Sequence, residues 1–135
     1  MPFVPCISVA DTAASVAFYK SVGFDVDSSS ATAGDDLHML LFKGELAGML
    51  YGNADLKAWL PVLQGQPIGF AGMFYLSVSD FQGTYDLASR HAQIVKEPVT
   101  DNNGVHEFYF RDPAGYVIGI NDRAALEASH MGKFA

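Results

Sequence analysis

The 135 residues are half apolar, 17% charged and 13% aromatic, the make-up of one globular domain with a real core. Eight Lys and Arg against fifteen Asp and Glu leave a formal charge of −7, which excludes nucleic-acid binding by phosphate neutralisation and suits a neutral or cationic ligand over an anionic membrane surface. The single cysteine, Cys6, excludes a disulfide framework and a cysteine-only zinc site, and no apolar run is long enough for a membrane span. The opening MPFVPCISVAD has no basic stretch before an apolar one, so a signal peptide is not expected and the cytoplasm is the expected compartment.

Ile7 and Val9 alternate with other residues and predict a first strand with one buried face. Asp11 then caps a helix whose stripe is expected at Ala14, Ala17, Phe18 and Val22, with Gly23 as its stop. Strands are expected over 24–30, 37–43 and 46–51, the last two joined by a Lys43-Gly44-Glu45 turn. Asp35-Asp36 resembles a metal pair, but Gly34-Asp35-Asp36 reads better as a solvated turn. Residues 52–70 connect the two halves, with a short helix over 55–60 stopped by Pro61.

Phe74, Leu76 and Val78 open the second half as a strand, and Asp80 caps a helix with a stripe at Phe81, Thr84, Leu87 and Ala88. Strands follow over 93–96, 106–111 and 116–121. Asn102-Asn103-Gly104 signals a turn, and Asp112-Pro113-Ala114-Gly115 fits a type I turn. A terminal helix is expected over 123–128, after which the chain frays.

The halves repeat. Ile7-Ser8-Val9-Ala10-Asp11 matches Leu76-Ser77-Val78-Ser79-Asp80 at an offset of 69 residues, and Ser15, Phe18 and Val26 match Thr84, Leu87 and Val95. Each half is βαβββ, so the fold class is α+β. One domain is expected over 1–135: module one at 1–52, a linker at 53–70, module two at 71–122 and a tail at 123–135.

VADTAASVAFYKSVGFDV and HEFYFRDPAGYVIGI resemble the signature segments of the vicinal oxygen chelate superfamily, which holds glyoxalase I, extradiol dioxygenases and the fosfomycin and bleomycin resistance proteins. The resemblance spans about residues 3–122 and rests on Phe18-Tyr19, Gly23-Phe24 and Phe110-Arg111-Asp112-Pro113-Ala114-Gly115 taken together. It implies two tandem modules whose mixed sheets curl around a concave cup, commonly in a homodimer. Metal-using members carry four His, Gln or Glu ligands on the cup face. Those positions fall here on Val4, Met73, Gly119 and the strand around Ala47 or Gly48. None supplies a ligand for a hard divalent metal. No metal, no other cofactor and no catalytic residue is therefore expected. The implied relative is the bleomycin-resistance type, a small-molecule binder that sequesters a bulky, cationic drug without chemistry.

Alternation puts Val4, Cys6 and Ser8 on the cup face of the first strand, and Met73, Tyr75 and Ser77 on that of the fifth. The expected ligand-binding set is Val4, Cys6, Ser8, Met73, Tyr75, Trp59 and Gly119. Trp59 either stacks on a planar ligand or caps the core edge, and Tyr51 and Tyr109 join the set if their strand faces allow. Phe70 is a candidate for a dimer interface. The competing reading is an enzyme that uses the cup without metal, through Cys6, His38 or His106. His106 and Glu107 are adjacent on a strand, so they cannot act together in one pocket.

Overall fold

The computed structural model describes residues 3–69, 73–101 and 104–134. Phe70 and the Asn102-Asn103 part of the expected turn lie outside them. The chain divides into two compact units, one of residues 1–71 with 113–115, the other of 72–112 with 116–135.

The first unit runs β1 (Cys6–Val9), α1 (Thr12–Ser21), β2 (Asp25–Asp27), α2 (Ser29–Thr32), β3 (Leu37–Phe42), β4 (Glu45–Gly52), α3 (Asn53–Trp59) and a 3₁₀ turn (Pro61–Leu63). Its sheet has the order β1-β4-β3-β2, with β1 and β4 parallel and the other pairs antiparallel. The second unit repeats this with β5 (Met73–Val78), α4 (Phe81–His91), β6 (Gln93–Thr100), β7 (His106–Arg111) and β8 (Val117–Asp122) in the order β5-β8-β7-β6. A helix α5 (Arg123–Ala128) follows. The fold is α+β with two βαβββ modules, as the repeat implies.

Both predicted caps form. The Asp11 carboxylate accepts from the Ala14 N–H at 3.0 Å, and Asp80 accepts from Gly83 at 3.0 Å. α1 ends as Gly23 requires. Gly23 takes φ +106°, its N–H donates to the Lys20 carbonyl, and the Phe24 N–H donates to the Tyr19 carbonyl. The Phe24 and Tyr19 rings pack edge to face at 5.4 Å across that stop. Lys43 and Gly44 both have positive φ, the two-residue hairpin turn whose twist matches its strands.

Four expectations change. The buried stripe of α1 is Ser15, Tyr19 and Val22, while Ala14 and Ala17 are exposed. Turning Tyr19 inward buries far more apolar area than two alanines offer. The strand expected over 24–30 stops at Asp27, whose carboxylate accepts from the Ser29 N–H at 2.9 Å and turns the chain into α2. β6 continues past Lys96 to Thr100 despite Pro98, because it is an edge strand with register shifts on either side of Lys96. The tail does not fray at once: a 3₁₀ turn covers His130–Phe134, with the Met131 N–H donating to Ser129 Oγ at 3.1 Å.

In the second unit α4 packs on the face of Phe108, Phe110, Ile118, Ile120 and Val78, all buried. Phe81 and Tyr85 meet Phe108 at 5.5 and 5.1 Å between ring centroids. The opposite face of that sheet carries Tyr75, Tyr109 and Gly119.

Candidate functional site

The register of the second sheet sets Tyr75, Gly119 and Tyr109 side by side on β5, β8 and β7, with Lys96 next to Tyr109 on β6. The glycine decides what happens there. A Cβ at residue 119 would lie 2.7 Å from ring carbons of both Tyr75 and Tyr109, so the two rings occupy the space a side chain would take. They meet at 6.0 Å and 71°, hydroxyl to hydroxyl at 3.0 Å. The Tyr109 hydroxyl donates to Glu107 Oε1 at 2.7 Å, and Lys96 Nζ lies 6.0 Å from the Tyr109 ring centroid. Burial, followed by the hydrogen bonds to Tyr75 and Glu107, pushes the Tyr109 hydroxyl well above the usual phenol range. Tyr75 is 57% exposed and Met73 42%. Ser77 Oγ donates to Asn121 Oδ1 at 2.6 Å. Glu107, Lys96 and Asn121 are additions to the expected set. The alternation in His106-Glu107-Phe108-Tyr109 already places Glu107 and Tyr109 on one face; the cross-strand register that joins them to Gly119 and Lys96 is not visible in sequence.

The equivalent row of the first sheet is Cys6, Met49, Met39 and Asp27. Leu40 pairs with Gly48 but Leu41 pairs with Leu46, so Ala47 is an extra, bulged residue on β4. Counting from the turn therefore falls short. By pairing, the residue equivalent to Gly119 is Met49, not Ala47 or Gly48. Cys6 is exposed, and its thiol is pushed up by partial burial and then by the Asp35 carboxylate, the opposite of an activated nucleophile. Ser8 Oγ donates to Asn53 Oδ1 at 2.7 Å. The Tyr51 hydroxyl donates to Asp35 Oδ1 at 2.9 Å. Val4 precedes β1 and is half-buried. Trp59 is 75% exposed on α3 and does not cap a core.

The histidines turn the other way. His38 pairs with Leu50 on the helix-packed side of its sheet, with Nδ1 2.7 Å from Ser28 Oγ and Nε2 2.9 Å from Asp36 Oδ1. Asp36 is thus a structural anchor rather than half of a solvated pair: it also accepts from Thr12 at 3.2 Å, and its carbonyl takes the Gly52 N–H. His106 rests against Phe81 of α4 at 6.3 Å and bonds Thr100 Oγ1 at 2.9 Å. Within the first unit, then, His38 and Cys6 occupy opposite faces and form no dyad.

The donor set does not suit the family's divalent metal. Val4, Met73, Gly119 and Met49 carry no oxygen or nitrogen side-chain donor. Among the described residues no three His, Cys, Asp or Glu side chains are grouped as metal ligands. No helix among them is long and apolar enough to cross a membrane.

The chain is similar to known proteins in its fold. No curated protein sequence matches the chain. Solved structures match its fold. A hypothetical protein of S. aureus is 18% identical with a TM-score of 0.73, covering 90% of this chain and 93% of its own. A superfamily member from Sphaerobacter thermophilus is 19% identical with a TM-score of 0.67, covering 90% and 98%. A bleomycin-binding protein solved with bleomycin is 14% identical with a TM-score of 0.60, again covering 90% and 98%. At these identities the likeness is one of fold. The model of the Glyoxalase/Bleomycin resistance protein/Dioxygenase superfamily matches residues 3–120, nearly the whole length, and the chain belongs to that superfamily.

Proposed function

We propose that this chain is a metal-independent small-molecule binding protein of the bleomycin-resistance type, acting as a cytoplasmic homodimer. The observation that carries this reading is the filling of position 119. Where metal-using relatives hold a ligand, this chain has a glycine, and Tyr75 and Tyr109 close over it. An aromatic, partly exposed surface with a few fixed polar groups suits an organic ligand better than a cation centre. In the second unit Met73 and Tyr75 are the proposed contacts, with Gly119 beneath the two rings; in the first unit, taken by itself, the proposed contacts are Val4, Cys6 and Ser8, with Trp59 as an exposed aromatic. The negative net charge favours approach of a basic ligand.

The test is a thermal-shift titration with metal-free and copper-loaded bleomycin at low and high salt, beside metal analysis after dialysis against chelator. Ligand at about 100 times its dissociation constant stabilises by roughly 2.7 kcal/mol, a rise of several degrees for a domain this size. A saturable rise that weakens with salt is expected. Absence of a shift removes bleomycin as the ligand. Stoichiometric divalent metal retained through dialysis removes the metal-independent reading.

A further inference from the structure

Glu107 sets the direction of a hydrogen-bond chain on the helix-free face of the second sheet. Its carboxylate can only accept, so the single proton of the Tyr109 hydroxyl, 2.7 Å from Oε1, is committed to it. The Tyr109 oxygen is left with lone pairs. Tyr75, whose hydroxyl is 3.0 Å away, must then give its own proton inward. A phenol has one proton, so the outward side of the Tyr75 oxygen offers lone pairs and nothing else.

That end of the chain is the accessible one. Tyr75 is 57% exposed and Tyr109 is 8%. The ring of Tyr109 already carries Lys96 Nζ, whereas among the described residues no Lys or Arg lies over the ring of Tyr75. The exposed element is therefore an aromatic face joined to a hydrogen-bond acceptor, and the negative charge of Glu107 is relayed toward it through two polarised hydroxyls. Both features favour a cation with N–H protons. A carboxylate would find Lys96 near by, but no donor on Tyr75.

Resting on the reading of this face as a ligand surface, we propose that Tyr75, Tyr109 and Glu107 form a subsite for a protonated amine of the ligand, which donates to the Tyr75 oxygen and lies against its ring.

The experiment is an NMR titration with two probes of equal ring size, benzylammonium and benzoate, on the wild type, Tyr75→Phe and Glu107→Gln. Benzylammonium is expected to shift the Tyr75 ring and Gly119 amide signals saturably, with benzoate at least about tenfold weaker. Tyr75→Phe keeps the ring and is expected to weaken benzylammonium about tenfold while leaving benzoate unchanged. Glu107→Gln supplies an amide that can donate to Tyr109 and reverse the chain, so the preference is expected to narrow or invert. That change should persist at high salt, where loss of charge alone is screened. Equal or tighter binding of benzoate to the wild type, or unchanged benzylammonium affinity in Tyr75→Phe, overturns the proposal. If neither probe moves Tyr75 or Gly119 while bleomycin still stabilises the protein, the subsite falls and the binding reading stands. If bleomycin also fails, both lose their support.

Discussion

Tyr75 and Tyr109 touch hydroxyl to hydroxyl at 3.0 Å directly over Gly119, the one residue between them that has no side chain. Gly119→Ala forces a methyl group to within 2.7 Å of both rings. Tyr75 is free to swing outward and Tyr109 is not, so the hydroxyl contact is expected to break. A cost of about 1–3 kcal/mol in urea unfolding is expected, with a change in the Tyr75 ring signals. An unchanged midpoint and unchanged ring signals would show that the rings do not depend on the glycine.

The two helix caps are matched experiments within one chain. Asp11→Ala and Asp80→Ala each remove a 3.0 Å bond to an orphan N–H at the same point of an equivalent helix. Each is expected to cost about 1 kcal/mol, or about 3–5 °C in Tm. Serine at either position should recover most of the loss. A cost confined to one helix would show that the repeat is not energetically symmetric.

Tyr109 makes stability fall at alkaline pH. Burial and its hydrogen bonds raise its folded pKa above the usual phenol value of about 10. The folded state then keeps a proton that the unfolded chain gives up. Its contribution is complete below about pH 10 and declines above it, by about 1.4 kcal/mol per pH unit while the folded hydroxyl stays protonated. Urea midpoints between pH 8 and 11 should fall more steeply for the wild type than for Tyr109→Phe. Parallel curves would show that Tyr109 ionises as readily folded as unfolded.

Cys6 is exposed yet expected to be slow toward thiol reagents. Partial burial raises its pKa first and the Asp35 carboxylate adds to this, so the thiolate fraction at neutral pH is below that of a free cysteine. Iodoacetamide alkylation at pH 7.5 should run more slowly than with glutathione. Asp35→Asn, which removes the smaller of the two causes, should speed it. A rate above that of glutathione would reopen Cys6 as a nucleophile.

The parts of the fold that repeat were legible, because Asp11 and Asp80 sit at the same point of two similar strand–helix joins and Gly23 marks its stop by needing a positive φ. The inward turn of Tyr19 was not. Helical periodicity alone does not say whether a ring or two alanines will win a place in the core, and here the larger area wins. For the site, alternation found Met73 and Tyr75 as neighbours on one face. It also puts Glu107 and Tyr109 on one face, but it did not join them to Gly119 and Lys96, since that placement depends on register, a non-local property. His38 was ambiguous for the same reason. Its face follows from pairing with Leu50 and from Asp36 and Ser28 on either side of its ring.

Ala47 and Gly119 stand at opposite extremes of tolerance. Ala47 is unpaired in its ladder, and the pairs on either side, Leu40 with Gly48 and Leu41 with Leu46, do not need it. Deleting it would leave every cross-strand partner in place and alter only the local twist. At Gly119 not even one carbon can be added without moving a tyrosine. Change in chain length is thus absorbed by the first module at Ala47, and change in chemistry is felt in the second at Gly119, so two halves built on one pattern tolerate different kinds of change.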